Sequence, residues 1–392
     1  MKGRAISRFL LLVIFLTIGA GKAASQSSDT TFYLITCGPG TETYSLYGHS
    51  ALRIVTGTDD IVFNWGVFDF DTPNFAWKFA KGRLNYMVAY EPYNNFLRSY
   101  LYEQRVVFIQ QINLESQEKS KMLELIRENI KPENKEYRYD FFYDDCSTRI
   151  RDLIERSVLT SLIYPSEVGT VPTFRQMINK YQQPFPWLSF GIDLLLGMPS
   201  DKKADVRERM FLPLEMMDGL SATTIYRNGE NVPLLGKAEI VLDFPPPVTE
   251  GKFPGPFLIF SVLFFIILLL SLFIKKQSYI NILDFLLFFV FSLVAILLVF
   301  FNFFSDHNQV KWNFNIIWIS PVIILCLFSI LLNRKDILLF RLLFFITAVF
   351  IALSLFIPQQ FNVSAYPLML ILLMRSSARS GFEWNPLSTD KE

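Results

Sequence analysis

The stretch YRYDFFYDDCSTRIRDLIERSV, Tyr137–Val158, decides the reading of this chain, because it sets a cysteine where an aromatic run becomes a helix. Tyr139, Phe141, Phe142 and Tyr143 favour an extended, half-buried conformation. Asp144 or Asp145 then offers a helix cap, and Ile150, Leu153, Ile154 and Val158 recur at helical spacing. Cys146 falls on the same stripe, four, seven and eight residues before the first three of them. A helix that packs this stripe on a sheet aims the thiol inward, with its backbone at the positive helix end, which lowers a thiol pKa. Asp144 and Asp145 oppose this by repulsion, so a thiolate needs a further partner, and the chain holds only two histidines.

The first, His49, lies in TYSLYGHSALRIV, where Gly48 precedes a strand with Leu52 and Ile54 on one face and His49, Ala51 and Arg53 on the other. A strand-borne imidazole and a helix-borne thiol are the components of nucleophilic acyl chemistry. The base takes the thiol proton, the thiolate attacks a carbonyl carbon, and helix N-terminal amides hold the developing oxyanion. The same residues equally allow a satisfied core histidine and a buried thiol or a Cys37–Cys146 disulfide, and spacing alone does not choose between these.

Composition bounds the rest. Lys and Arg number 37 against 36 Asp and Glu, a net charge of +1 that gives no footprint for nucleic acid. Hydrophobic residues make up 51% of the chain and concentrate after residue 256, which predicts a soluble domain followed by a membrane domain. Lys2, Arg4 and Arg8, the apolar run Phe9–Ile18, and small residues through Ser25 make an export signal over residues 1–25. Residues 26–244 then form a domain outside the cytoplasm, and five prolines between 245 and 256 make a stiff linker.

Residues 257–374 hold five apolar spans, Phe257–Ile274, Ile282–Phe304, Phe314–Leu332, Ile337–Ile357 and Phe361–Met374, of which the last is short for a bilayer. Lys275, Lys276, Arg334, Lys335 and Arg341, with Arg375 and Arg379 in a tail over 375–392, fall on one side, cytoplasmic by the positive-inside rule. The loop carrying His307 is on the other side, in the compartment of His49 and Cys146, near the membrane surface; a lone loop histidine there is ordinarily solvated.

Inside the exported domain, FYLIT, the His49 strand and IVFNWGVF read as strands, with Gly57–Asp60 turning a hairpin between the last two. That hairpin brings Asn64 toward His49 as an orienting amide; Glu42, Asp69 and Glu103 compete for the role. Phe75–Tyr102 reads as helical turns and EQRVVFIQQINL as a strand. Glu115–Ile130 follows as an amphipathic helix with Met122, Leu125, Ile126 and Ile130 inward. A further helix is expected around Phe174–Tyr181, and the run PWLSFGIDLLLG reads as core in preference to a surface that rests on the bilayer. The mixture predicts an α+β domain ahead of an all-α multi-pass membrane domain. No metal-ligand spacing and no Gly-rich phosphate loop stands in the sequence, so no metal and no cofactor is expected.

A strand-borne Gly-His-Ser ahead of a helix-borne Cys resembles the order of circularly permuted papain-like enzymes, among them the lecithin:retinol acyltransferases. The ordered set TCGPGTETYSLYGHSALRI, FNWGVFDF, GRLNYMVAY, YRYDFFYDDCSTRIRDLI, TFRQMI, WLSFGIDLLLG, MFLPLEMMDGL and SDHNQVKWNFNIIWISP more specifically resembles the Lnb-type bacterial lipoprotein N-acyltransferases. The resemblance implies a permuted papain-like periplasmic domain on a membrane base in the bacterial inner membrane. It implies Cys146 as nucleophile and His49 as base, a membrane phospholipid as acyl donor, and diacylated lipoproteins as acceptors. A cell-wall cysteine peptidase or amidase, and a non-catalytic exported module with the Cys37–Cys146 disulfide, are the competing readings.

Overall fold

The computed structural model describes residues 30–246 and 253–382. The expected export signal, the middle of the proline linker and residues 383–392 lie outside them. The described residues hold ten strands: β1 (Thr31–Cys37), β2 (His49–Val55), β3 (Asp60–Val67), β4 (Asn85–Pro92), β5 (Val107–Gln111), β6 (Glu136–Arg138), β7 (Leu162–Ile163), β8 (Thr224–Arg227), β9 (Glu230–Pro233) and β10 (Glu239–Leu242). Seven of them form one sheet in the order β10-β5-β1-β2-β3-β4-β6, and β7, β8 and β9 form a small second one.

Alternation along the strands sorts the large sheet into two buried faces. Phe32, Leu34, Leu52, Ile54, Phe63 and Trp65 meet the helices Ser116–Asn129 and Cys146–Ser157 on one face. Ile35, Cys37, Ala51, Val62, Val107 and Ile109 meet Phe96 of the helix Tyr93–Tyr102 on the other. Ile150 is fully buried against the first face, and truncating it to Ala would cost about 2–5 kcal/mol. This is a sheet-rich α/β domain.

Several local expectations are corrected. Phe141–Tyr143 is a turn rather than an extended run, because Asp140 accepts from the Phe142 and Tyr143 amides at 3.0 and 3.2 Å and closes the chain on itself. Phe75–Tyr102 is not helical throughout: β4 lies inside it, pairing with β3 and β6. The hairpin β8–β9 turns on Asn228-Gly229, both at positive φ, a strong turn signal that the sequence reading passed over.

The C-terminal region is helical. Among the described residues two helices are long and apolar enough to cross a bilayer, Pro256–Phe273 and Gln277–Phe304, the latter ending in a π-helical turn. The third expected span is broken: Asn315–Trp318 stops at Ile319, and Val322–Leu331 resumes after Pro321, which lacks an N–H and disfavours helix before it. The fourth runs Ile337–Leu353, and the fifth runs Ala365–Arg379. Arg375 is therefore not in a tail. It is buried in the helix bundle with its Nε 2.6 Å from Asp284 Oδ1.

Two polar seams join the regions. Arg175 is buried, with Nη1 3.0 Å from Asp193 Oδ1 and Nε 2.9 Å from Asp201 Oδ1; Asp193 also accepts from Asn362, and Asp201 from the Gln360 amide. The helix carrying Asp193, Pro186–Leu195, is not core of the exported domain as read from sequence. Its Phe190, Leu194 and Leu195 pack on the C-terminal helices, and Trp187 and Phe190 lie against Phe260. In the second seam, the loop after the π turn covers the C-terminus of the helix Phe75–Lys81. Ser305 Oγ donates to the Ala80 carbonyl at 2.9 Å, the Asp306 amide to Lys81 at 2.8 Å, and His307 Nε2 to Phe79 at 2.8 Å. These are carbonyls of the kind a helix end leaves unsatisfied.

Candidate active site

The Cys146 helix starts where it does because Asp145 and Thr148 cap it reciprocally: the Thr148 amide donates to Asp145 Oδ1 at 2.7 Å, and Thr148 Oγ1 meets the Asp145 amide at 2.7 Å. Cys146 is the first residue of the helix and is buried against the sheet face that holds Trp65 and Leu52. Ser147 Oγ lies 2.9 Å from Ser50 Oγ, which pins the helix start to β2.

Opposite this point the sheet opens. Pairing of β2 with β3 ends at Ala51–Asn64, so His49 and Ser50 pair with β1 alone, and β3 shifts register between Asn64 and Val67. Gly66 makes the departure at φ +87, a conformation that side chains rarely adopt; a Cβ there would lie 3.2 Å from Tyr139, 3.7 Å from Cys146 Cβ and 4.0 Å from Tyr137 Oη. The thiol occupies the gap. The backbone amides of Ser50, Ser147 and Cys146 itself favour its thiolate form, and its Sγ lies 3.9 Å from Ser147 Oγ. Gly48 turns the chain into β2 at φ +88, and a Cβ there would sit 2.6 Å from the Cys37 carbonyl.

Of the four orienting candidates, the structure brings Asn64 to His49: Nε2 is 3.2 Å from Asn64 Oδ1. Asn64 Nδ2 in turn donates to Glu91 at 3.4 Å, which fixes the amide with its oxygen toward the imidazole. Nε2 then carries the proton and Nδ1 keeps its lone pair. Glu103 is held by Arg105 Nη1 at 2.9 Å, and Asp69 by the Asp71 amide at 2.9 Å. Glu42 is an exposed loop residue whose carbonyl accepts from Ser45. Among the described residues none of these three bonds His49, and no hydrogen bond joins His49 directly to Cys146.

The resting groups are uncharged. Burial pushes the Cys146 thiol up, outweighing the amides that favour the thiolate, so the helix-start effect read from sequence is overridden. Burial likewise lowers His49 to about 4, against the opposing pull of Asn64. The two carboxylates expected to repel a thiolate are both muted. Asp144 is clamped by Arg149 at 2.5 and 2.8 Å, and burial raises the Asp145 carboxyl well above the usual range.

Cys37, Cys146 and Cys326 are free thiols. Cys37 packs on the face of the sheet away from the Cys146 helix and both thiols are free, so the Cys37–Cys146 disulfide is corrected; His49, the register partner of Cys37, lies toward that same face and meets the Cys146 side only at the opening of the sheet beside Asn64. His307 is a part-exposed loop residue whose ring donates to the Phe79 carbonyl at 2.8 Å. One residue that the sequence reading left out stands beside the thiol. Tyr137 Oη is buried without a hydrogen-bond partner, its ring lies under the Arg149 guanidinium at 3.4 Å, and burial keeps it a phenol. Its pairing with Arg149 at twelve residues' spacing follows from the turn after β6, which no local pattern announces.

A sheet-rich domain holding a buried thiol, imidazole and amide, mounted on apolar helices, has the build of a membrane-anchored protein with a candidate site in its N-terminal domain. Residues 20–180 match the Lnb N-terminal periplasmic domain and residues 248–382 the Lnb transmembrane domain. The chain belongs to the Lnb family: its N-terminal domain is periplasmic and its C-terminal region is a membrane domain. No curated protein and no solved structure matches it.

Proposed function

We propose that the protein is a lipoprotein N-acyltransferase of the inner membrane, with Cys146 as nucleophile and His49 as base, oriented by Asn64. In the first half-reaction His49 Nδ1 takes the Cys146 proton as Sγ attacks the ester carbonyl of a membrane phospholipid. The S–C bond forms, the ester C–O bond breaks, and the imidazolium returns its proton to the departing alcohol of the lysolipid. In the second, the α-amine of a diacylglyceryl-cysteine lipoprotein attacks the thioester. The N–C bond forms, the S–C bond breaks, and the amine proton passes through His49 back to the thiol. No redox partner, metal or cofactor enters this balance.

An amine of ordinary pKa about 8 has a reactive neutral fraction near pH 7. The Cys146 backbone amide at the helix start and the unpartnered Tyr137 hydroxyl are the donors proposed for the oxyanion. The observation that carries the reading is Cys146 at its helix start against the bare face of Gly66, two residues along β3 from the Asn64 whose Oδ1 holds His49 Nε2 at 3.2 Å.

We assign residues 26–244 to the periplasmic catalytic domain, 245–256 to the linker and 257–374 to a membrane domain of about five passes, the last helix of which continues to Arg379. Gln277, Arg334, Lys335 and Arg379, from the helix ends we assign to the cytoplasmic side, line one cavity of about 780 Å³. His307 is given a positioning role at the membrane surface, holding the helix Phe75–Lys81 on the membrane loop.

Purified protein in lipid vesicles, given a diacylated lipopeptide, should yield the triacylated product, and Cys146 should carry a trappable acyl group when the acceptor is withheld. Cleavage of peptidoglycan fragments with no acyl-Cys146 would move the assignment to a peptidase.

A further inference from the structure

The exported domain carries an exposed aromatic patch that nothing in its own fold covers. Phe70, Trp77 and Phe79 are 64, 60 and 51% exposed, around the short helix Phe75–Lys81. A water-facing surface has no use for three large rings in one place. The patch is continuous with the membrane region: Trp77 lies 5.3 Å from Phe300, and the exposed Phe303 and Phe304 follow in the same π turn. The Ser305–His307 loop anchors the helix there through three carbonyls, so its height is set by the end of the long membrane helix. Lys78 flanks the rings on the helix, while Lys81 donates to the Phe304 carbonyl and Arg83 pairs with Asp306 at 2.6 Å, which ties the patch further to the membrane loop.

From the patch a row of rings leads inward. Phe79 stacks on Phe75 at 6.2 Å, and Phe75 and Phe70 both touch Phe68, at 5.8 and 4.8 Å. Phe68 meets Tyr86 at 5.2 Å, and Tyr86 stacks on Tyr139 at 4.4 Å. Tyr139 shares the bare face of Gly66 with Cys146. One end of the row is the exposed patch beside the π turn and the other is at the thiol.

We infer that this patch is inserted in the outer leaflet of the bilayer and that the aromatic row is the bed along which one acyl chain of the donor lipid lies as its ester reaches Cys146. The inference rests on the acyltransferase reading for the ester, but not for the insertion. The rings supply apolar contact that excludes water along a chain too hydrophobic to cross the surface of the domain uncovered. Substrate is thereby drawn from the membrane sideways, not from the periplasmic solution.

Two measurements separate the parts. Protein with Trp77→Cys in a Cys146→Ala background, labelled with an environment-sensitive fluorophore in nanodiscs containing chain-brominated phospholipid, should be strongly quenched. The same label at Tyr102→Cys, on a residue 90% exposed at the tip of another helix, should not be. Equal quenching at both positions overturns the insertion whether or not the protein is an enzyme. For the bed, the double variant Phe70→Ser with Trp77→Glu should slow acyl loading of Cys146 from vesicle phospholipid by about tenfold or more. Its loading from water-soluble p-nitrophenyl butyrate should stay at the wild-type rate, which also reports an intact fold. Equal loss with both donors, or no loss with either, overturns the bed. If wild-type Cys146 is loaded by neither donor, the acyltransferase reading and the bed fall together, while the quenching result still stands by itself.

Discussion

His49 Nε2 and Asn64 Oδ1 lie 3.2 Å apart across the first open position between β2 and β3, where the strands have just ceased to pair. Because Asn64 spends its amide hydrogens on Glu91, only its oxygen faces the ring, and the imidazole is held in the tautomer whose lone pair is on Nδ1. Asn64→Ala should therefore lower acyl transfer by about a hundredfold through a misplaced base, with a smaller change in donor KM. Asn64→Gln, longer by one methylene, should not restore it. Steady-state kinetics on vesicle substrate read both; a rate equal to wild type in Asn64→Ala would remove the residue from the site.

Neutral resting groups make a different prediction from a thiolate–imidazolium pair. With the thiol raised and the imidazole lowered by burial, the reactive thiolate is a minor species at neutral pH. Alkylation of Cys146 by iodoacetamide should then climb by about tenfold per pH unit from about pH 6 to about pH 8. A rate that is flat across that range would mean that the pair is already ionised.

The same burial links His49 to stability. Its folded pKa near 4 lies below the unfolded value of about 6.5, so on acidification the unfolded chain takes up a proton first. The contribution is fully present above about pH 6.5, falls through the window between the two values, and is gone below about 4. It amounts to about 3 kcal/mol at most. Chemical unfolding of the membrane-reconstituted protein at both ends of this window should show a steeper acid loss for wild type than for His49→Gln; parallel losses would contradict the burial.

Much of this site was legible in the chain, and the reasons differ by residue. The helix stripe from Cys146 to Val158 packs as its spacing says, and the Gly57–Asp60 turn does bring β3 back along β2, because hydrophobic period and turn chemistry are local. What failed is what depends on partners far along the chain. Asp140 turned an aromatic run that propensity alone makes extended. Burial overrode the helix-end effect on Cys146, since desolvation is set by the whole core and not by the neighbouring residues. The run Trp187–Leu195 looked like core because it is apolar, and it is covered, but by the membrane helices. Pro321 was visible in the sequence; its break in a helix was masked by an apolar composition that continues across it.

The pair at Asp284 supplies the last test. Asp284 is fully buried among apolar helices, with Arg375 Nε at 2.6 Å and Arg379 Nε at 2.5 Å. A carboxylate at such depth is sustained by its two guanidiniums, and each of these in turn by the carboxylate, so removing one side leaves uncompensated charge. Asp284→Leu should destabilise the membrane domain by about 3–5 kcal/mol, read as a lowered Tm in detergent or nanodiscs. Arg375→Met in the same chain should recover much of it, because one of the two stranded cations is then gone and a well-packed apolar side chain fills its place. Arg379 is 18% exposed in its side chain and nearer the helix end, so it reaches solvent once released. A double variant no more stable than Asp284→Leu alone would show that Arg375 gains nothing from the aspartate, and that the cluster is held by Arg379.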